Sequence, residues 1–230
     1  MYLIGIDHRM SSVESMLRMG MPADTSWSAR DLFLTFAMWT VMMIGMMAPT
    51  ALPVMLLFNR MRAGTNPGHS SGAAALFGMG HLIIWVSFSA LAASLQWTLH
   101  HVAILSPHMS VTSPRLAGAI LIAAGLYQLT PAKAKCLTKC QSPLGFLVTN
   151  WKEGGKGVLE LGLRHGAYCL GCCWALMCVL FVVGVMNLAW VAALTAFVFL
   201  EKFGPTGMRV AQAGGAVMIL AGLLSMATRS

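Results

Sequence analysis

Four of the six cysteines in this 230-residue chain fall within ten residues, in the stretch HGAYCLGCCWALMC over 165–178. A helix turns about 100° per residue. His165, Cys169, Cys172 and Cys173 therefore form one stripe, and Cys178 points to the opposite side. Soft thiolates favour Cu(I), zinc and iron–sulfur clusters, and imidazole suits zinc and copper. A second pair, Cys136 and Cys140, is spaced i, i+4 in KAKCLTKC and can complete a site across two helices. Lys133, Lys135 and Lys139 stand beside that pair and are expected to lower its thiol pKa values. The vicinal Cys172-Cys173 departs from the CxxC spacing common in thiol oxidoreductases, which favours metal binding over redox exchange. Redox chemistry stays open on the residues alone, as does plain packing, because buried Cys also behaves as a small hydrophobe.

Methionine adds a second soft donor. The chain has 19, and Met38, Met42, Met43, Met46, Met47 and Met55 fall in one apolar run. Thioether ligates Cu(I), so the pattern favours copper over zinc, with Met47 as a candidate ligand. Each single methionine is also an ordinary gap filler. Pro49 and Pro53 share that run and free backbone carbonyls, acceptable in a span where neighbours satisfy them. His81 is polar inside an apolar stretch, where function is the default hypothesis. Glu201 and Lys202 are expected at the interface, with Lys202 snorkelling. Thinner metal-collecting signals are His100, His101, His108 and Met109 in one loop, and His8, Met10, Met16, Met19 and Met21 in the tail.

The elements that carry these residues are apolar helices. Hydrophobic residues make up 57% of the chain and charged ones only 10%, well under the roughly 25% charge of a soluble domain. Mean hydropathy is +0.73. Uncharged runs near the roughly 20 residues that cross a bilayer predict an all-α, polytopic transmembrane helical bundle of about six spans: 32–58, 73–99, 115–130, 166–186, 188–203 and 207–227. Residues 1–31 are read as a periplasmic tail without the apolar core of a signal peptide, and 32–230 as the membrane domain. Within it, about 131–165 is expected as an interfacial cytoplasmic segment, with 144–164 lying along the membrane surface. Alternate loops hold ten of the fifteen Lys and Arg residues, so the positive-inside rule puts them in the cytoplasm and both termini outside. The net charge of +8 then reflects lipid-facing basic loops rather than nucleic-acid binding. Nothing resembles a Ser/His/Asp set or paired intramembrane carboxylates, so hydrolysis has no support.

Four segments carry a resemblance: WTVMMIGMMAP (39–49), GLYQLTPAKAKCLTKCQSP (125–143), GLRHGAYCLGCCWALMC (162–178) and LEKFGPTG (200–207). Together they resemble a family of predicted metal-binding integral membrane proteins, a domain of unknown function whose members are sometimes labelled copper chaperones. The resemblance covers about residues 32–226 and implies a metal, with Cys136, Cys140, Cys169, Cys172 and Cys173 matching the family's cysteines. Gln141 departs from it, standing where a basic residue is expected. The combined expectation is a bacterial inner-membrane protein that holds or delivers Cu(I), with zinc as the second choice, for assembly of a recipient copper enzyme. Catalysis is not expected. Its site comprises Cys136, Cys140, Cys169, Cys172 and Cys173, with His165 or Met47. The rivals are a membrane thiol-disulfide oxidoreductase and a transporter or accessory subunit of a larger membrane complex.

Overall fold

A computed structural model describes residues 29–64, 70–101, 113–185 and 187–227. Among them the chain forms eight helices and no strand: α1 Ala29–Ala63, α2 Ser70–His101, α3 Pro114–Gln128, α4 Pro131–Gln141, α5 Pro143–Asn150, α6 Gly154–Val183, α7 Leu188–Phe203 and α8 Gly207–Ala227. Four of these, α1, α2, α6 and α8, are long and apolar enough to cross a bilayer. They mark the chain as a membrane protein. At 1.5 Å per residue, α3 and α7, with 15 and 16 residues, reach only about 22–24 Å, short of the roughly 30 Å hydrocarbon core. Val41 and Leu91, each 71% exposed, belong to an apolar outer surface that no soluble monomer tolerates over such lengths.

Local signals account for the helix ends. Ser113 caps α3 ahead of Pro114, and Thr130 caps α4 ahead of Pro131; proline at the first helical position loses only an N–H that was already unpaired. The short connection expected near Asn187 is real. Gly184, at φ 92°, ends α6, and the Asn187 side chain accepts from Ala189 N and Trp190 N to start α7.

The central helix is α6, far more deeply buried than α8. It begins at Gly154 rather than near 166, so Cys169 is the sixteenth of its thirty residues and the thiol stripe sits at mid-helix. The sequence hid this start behind charge. Glu160 takes Lys152 at 2.6 Å and Arg164 at 3.0 Å on one face, while the other face packs on α2. There Gly80 faces the Leu159 and Leu163 backbone, Gly162 lies against the Phe77 carbonyl, and Gly166 touches Ile84 and the His81 carbonyl. Residue numbers rise together along both helices, so α2 and α6 run parallel. Residues 143–150 form α5, which buries Phe146 and Leu147 and leaves Leu144 and Val148 exposed.

On the far side α3 and α8 pack antiparallel through facing glycines. A Cβ on Gly118 would stand 2.7 Å from the Gly222 carbonyl, and one on Gly125 would stand 2.6 Å from the Gly215 carbonyl. Small residues let helix backbones close up where lipid supplies no hydrophobic drive. Tyr127 of α3 also donates its hydroxyl proton to the Gly171 carbonyl of α6, which anchors the end of α3 at the level of the cysteines.

Candidate metal centre

The midsection of α6 gathers thiols from two helices. Cys169, Cys172 and Cys173 are all buried, as is Cys140 of α4. Cys140 Sγ lies 4.0 Å from Cys172 Sγ. The Cys172 thiol donates to the Cys169 carbonyl at 3.1 Å, and the Cys173 thiol donates to the same oxygen at 2.9 Å. Cys136 stands beside this group against Gly171, where an added Cβ would come within 2.9 Å of its sulfur. Cys178 is partly exposed, on the opposite side of α6. Four of the five cysteines singled out in sequence thus share one buried cluster, with Cys136 at its edge.

A lysine reaches the same cluster. Lys202 of α7 is 5% exposed. Its ammonium donates to Cys169 Sγ at 2.9 Å and to Thr50 Oγ1 at 3.2 Å, and Met47 Sδ lies 3.8 Å away. Snorkelling is therefore wrong for Lys202: the last turn of Leu188–Phe203 buries Glu201 and Lys202 and leaves Leu200 and Phe203 exposed. The prolines of α1 contribute here. Pro49 and Pro53 interrupt the backbone ladder around Thr50, whose hydroxyl donates to the Met47 carbonyl at 2.8 Å and accepts from Lys202. Met47 joins the site through the lysine.

Glu201 is also interior rather than interfacial. It pairs with Lys133 at 2.7 Å, with side-chain exposures of 1% and 0%. Gln128 donates to Glu201 Oε1 at 3.0 Å and accepts from Lys133. Gln141 donates to the Glu201 main-chain carbonyl at 2.7 Å, which gives the residue that departs from the expected basic one a structural place. Of the three lysines expected to act on Cys136 and Cys140, Lys133 is ion-paired with Glu201, and Lys135 and Lys139 are exposed.

His165 turns away from the sulfurs and meets His81 of α2, with the two Nδ1 atoms 3.2 Å apart. Phe77 and Phe146 pack on the His165 ring at centroid distances of 5.6 and 5.4 Å. The sequence flagged both histidines without pairing them, because the pairing depends on the glycine contact between α2 and α6. It missed Lys202, Lys133, Glu201 and Gln128 as interior groups; the only available signal was that each sits in or beside an apolar run. His8, Met10, Met16, Met19, Met21, His108 and Met109 lie outside the described residues, as do the side chains of His100 and His101. As the side chains stand, no three His, Cys, Asp or Glu groups among the described residues share metal-ligating geometry.

A family model named PpoB2 and described as a copper chaperone matches residues 36–225. The chain belongs to that copper chaperone family. The matched region takes in every cysteine, both paired histidines, Met47 and the two buried lysines. No curated protein and no solved structure matches the chain.

Proposed function

We propose that the protein holds Cu(I) within the bacterial inner membrane and hands it to a recipient copper enzyme, with Cys140 and Cys172 as the primary ligands and Cys169, Cys173 and Met47 completing the donor set. The observation that carries this is the approach of Cys140 to Cys172 across two helices in a chain of the copper chaperone family. Taking about 2.3 Å for a metal–thiolate bond, as for zinc, two sulfurs 4.0 Å apart subtend about 120° at a shared ion. That angle suits a three-coordinate soft cation, for which Cys169, Cys173 or the Met47 thioether is the third donor. The thiols now satisfy themselves on the Cys169 carbonyl, and rotation about their Cα–Cβ bonds frees them without moving a helix. Cu(I) is the commitment over zinc because the donors are sulfur, including thioether. Cys136, at the edge, is where an ion enters or leaves the cluster, and His165, engaged with His81, is left out of the donor set.

The test is elemental analysis of protein purified in detergent without chelators, under reducing conditions and after Cu(I) loading, wild type beside Cys172→Ser/Cys173→Ser. About stoichiometric copper in the wild type, sharply reduced in the double variant, is the expected result. Absence of copper from the loaded wild type sinks the proposal.

One observation favours the oxidoreductase reading. The 4.0 Å between Cys140 and Cys172 sulfurs is about 2 Å longer than a disulfide bond, a gap that side-chain rotation can close. Differential alkylation of protein prepared without reductant separates the two readings. The copper proposal expects both thiols free and no stoichiometric Cys140–Cys172 disulfide.

A further inference from the structure

Lys202 is the group that copper holding by thiols leaves unexplained, since a fixed cation beside a cation site is at first sight a liability. Its ammonium is buried and reaches two other helices. On α6 it meets Cys169 Sγ at 2.9 Å, and on α1 it meets Thr50 Oγ1 at 3.2 Å and Met47 Sδ at 3.8 Å. The neighbouring Glu201 does not balance this charge, because its carboxylate already takes Lys133 at 2.7 Å and Gln128 at 3.0 Å. Of the three groups in contact with Lys202, a hydroxyl and a thioether stay neutral, and only the cysteine can become an anion. The natural counter-ion of Lys202 is therefore a thiolate of the cluster.

Charge counting at a bound ion shows what that arrangement suits. Cu(I) on two thiolates carries one net negative charge, which an apolar interior penalises heavily unless a cation balances it. With Lys202 included the sum is zero. A single thiolate would leave the site positive, and three would leave it negative. A third donor must then be neutral, and Met47 supplies a neutral sulfur within reach of the same ammonium. An N–H aimed at a thiolate sulfur is also a charge-assisted hydrogen bond, and the sulfur keeps further lone pairs for the metal. The lysine need not touch the ion to hold it.

We propose that Lys202 is the counter-charge of a two-thiolate Cu(I) centre, a residue that sets the charge of the site and so favours a monovalent soft cation on two thiolates. Loading exchanges two S–H bonds for two Cu–S bonds. Copper stays Cu(I), and the two protons pass to the thiolates that delivered it. The lysine is expected to strengthen Cu(I) binding rather than weaken it, because the thiolates outnumber the charge of the ion. The inference rests on the copper reading above and adds to it a residue that binds no metal. A purely structural role, fastening α7 to α1 and α6 by hydrogen bonds, would be served equally by a neutral amide.

The test is Cu(I) affinity, measured by anaerobic competition with a chromophoric Cu(I) chelator on the full-length detergent-purified protein. The wild type is set beside Lys202→Met, Lys202→Gln and Lys202→Arg. Both neutral variants are expected to lose Cu(I) affinity by about 100-fold or more, the scale of a buried charge left without its partner. Lys202→Arg keeps the charge and is expected to retain most of the affinity. The rise in melting temperature on copper loading should shrink in the neutral variants in step with the affinity. Wild-type affinity in Lys202→Gln overturns the inference, because a hydrogen bond would then be the whole role. Tighter binding in either neutral variant also overturns it, by showing that the ammonium repels the ion. Both results leave the thiol site standing. Gln and Arg are polar and of similar reach, so their comparison decides the matter even if Lys202→Met does not fold. No copper in the loaded wild type overturns the copper reading itself, and this inference with it.

Discussion

Two lysines enter the same apolar interior with different partners, and their substitution should move stability in opposite directions. Lys133 is ion-paired with Glu201 and braced by Gln128. Lys133→Met leaves a carboxylate buried and unpaired, a loss of about 3–5 kcal/mol, seen as a lower melting temperature in detergent. Lys133→Met/Glu201→Met removes both charges and is expected to recover most of that loss. Lys202 has no carboxylate partner among the described residues; it rests on a thiol, a hydroxyl and a thioether. Burying an ammonium among weak acceptors is costly, so Lys202→Met should stabilise the protein by roughly 1 kcal/mol or more, seen as a higher melting temperature, while altering copper loading. A fall as large as that of Lys133→Met would show that Lys202 is structural rather than held at the thiols for function. The thiols, Met47 and both histidines were legible in the sequence because their side chains are chemically conspicuous in an apolar run. The lysines were not, since a Lys near the end of a helix normally snorkels, and only the tertiary placement of α7 turns it inward.

At the scale of helices, glycine contacts decide which residues meet. The approach of Gly162 to Phe77 and of Gly166 to His81 and Ile84 sets the register of α6 on α2, which brings His165 to His81. The facing pairs Gly118–Gly222 and Gly125–Gly215 set α3 on α8 in the same manner. Gly125→Leu is expected to force α3 from α8 at a cost of about 1–3 kcal/mol for overpacking. Because α3 also carries Tyr127 and Gln128, the same substitution should loosen the contacts that place Cys140. Its expected signature is a lower melting temperature together with faster alkylation of Cys140, measured by mass spectrometry. Unchanged alkylation would show that α4 holds Cys140 independently of α3. Long uncharged apolar runs announced the long helices, and Thr130-Pro131 and Asn187 announced two boundaries. The first turns of α6 were unreadable because GGKGVLELGLR mixes glycine and charge, and glycine reads as a breaker until the helix it packs against is known.

For the whole molecule, helix direction bears on how often the chain crosses the membrane. Since α2 and α6 run parallel through their glycine contacts, the chain between them must return across the bilayer. Only α3, α4 and α5 lie between them among the described helices. The same is expected for α7 between α6 and α8, given that α3 is antiparallel to α8 and meets α6 through Tyr127 at Gly171. The expectation is then six crossings, two of them by helices shorter than an average hydrocarbon core, with local thinning or the neighbouring α4 and α5 making up the length. The basic-residue bias survives the burial of Lys133 and Lys202, leaving eight Lys and Arg on the side assigned to the cytoplasm against five on the other. Alkaline phosphatase is active only where it is exported, so fusions after residue 230 and ahead of residue 29 are expected to be active, and one in the 65–69 connection silent. Termini on opposite sides would remove a crossing, with α7 the first suspect. The reverse activity pattern would keep six crossings and invert the protein. In that case Arg60, Arg62 and the 131–165 segment would face the periplasm, and copper would pass between the cluster and that compartment.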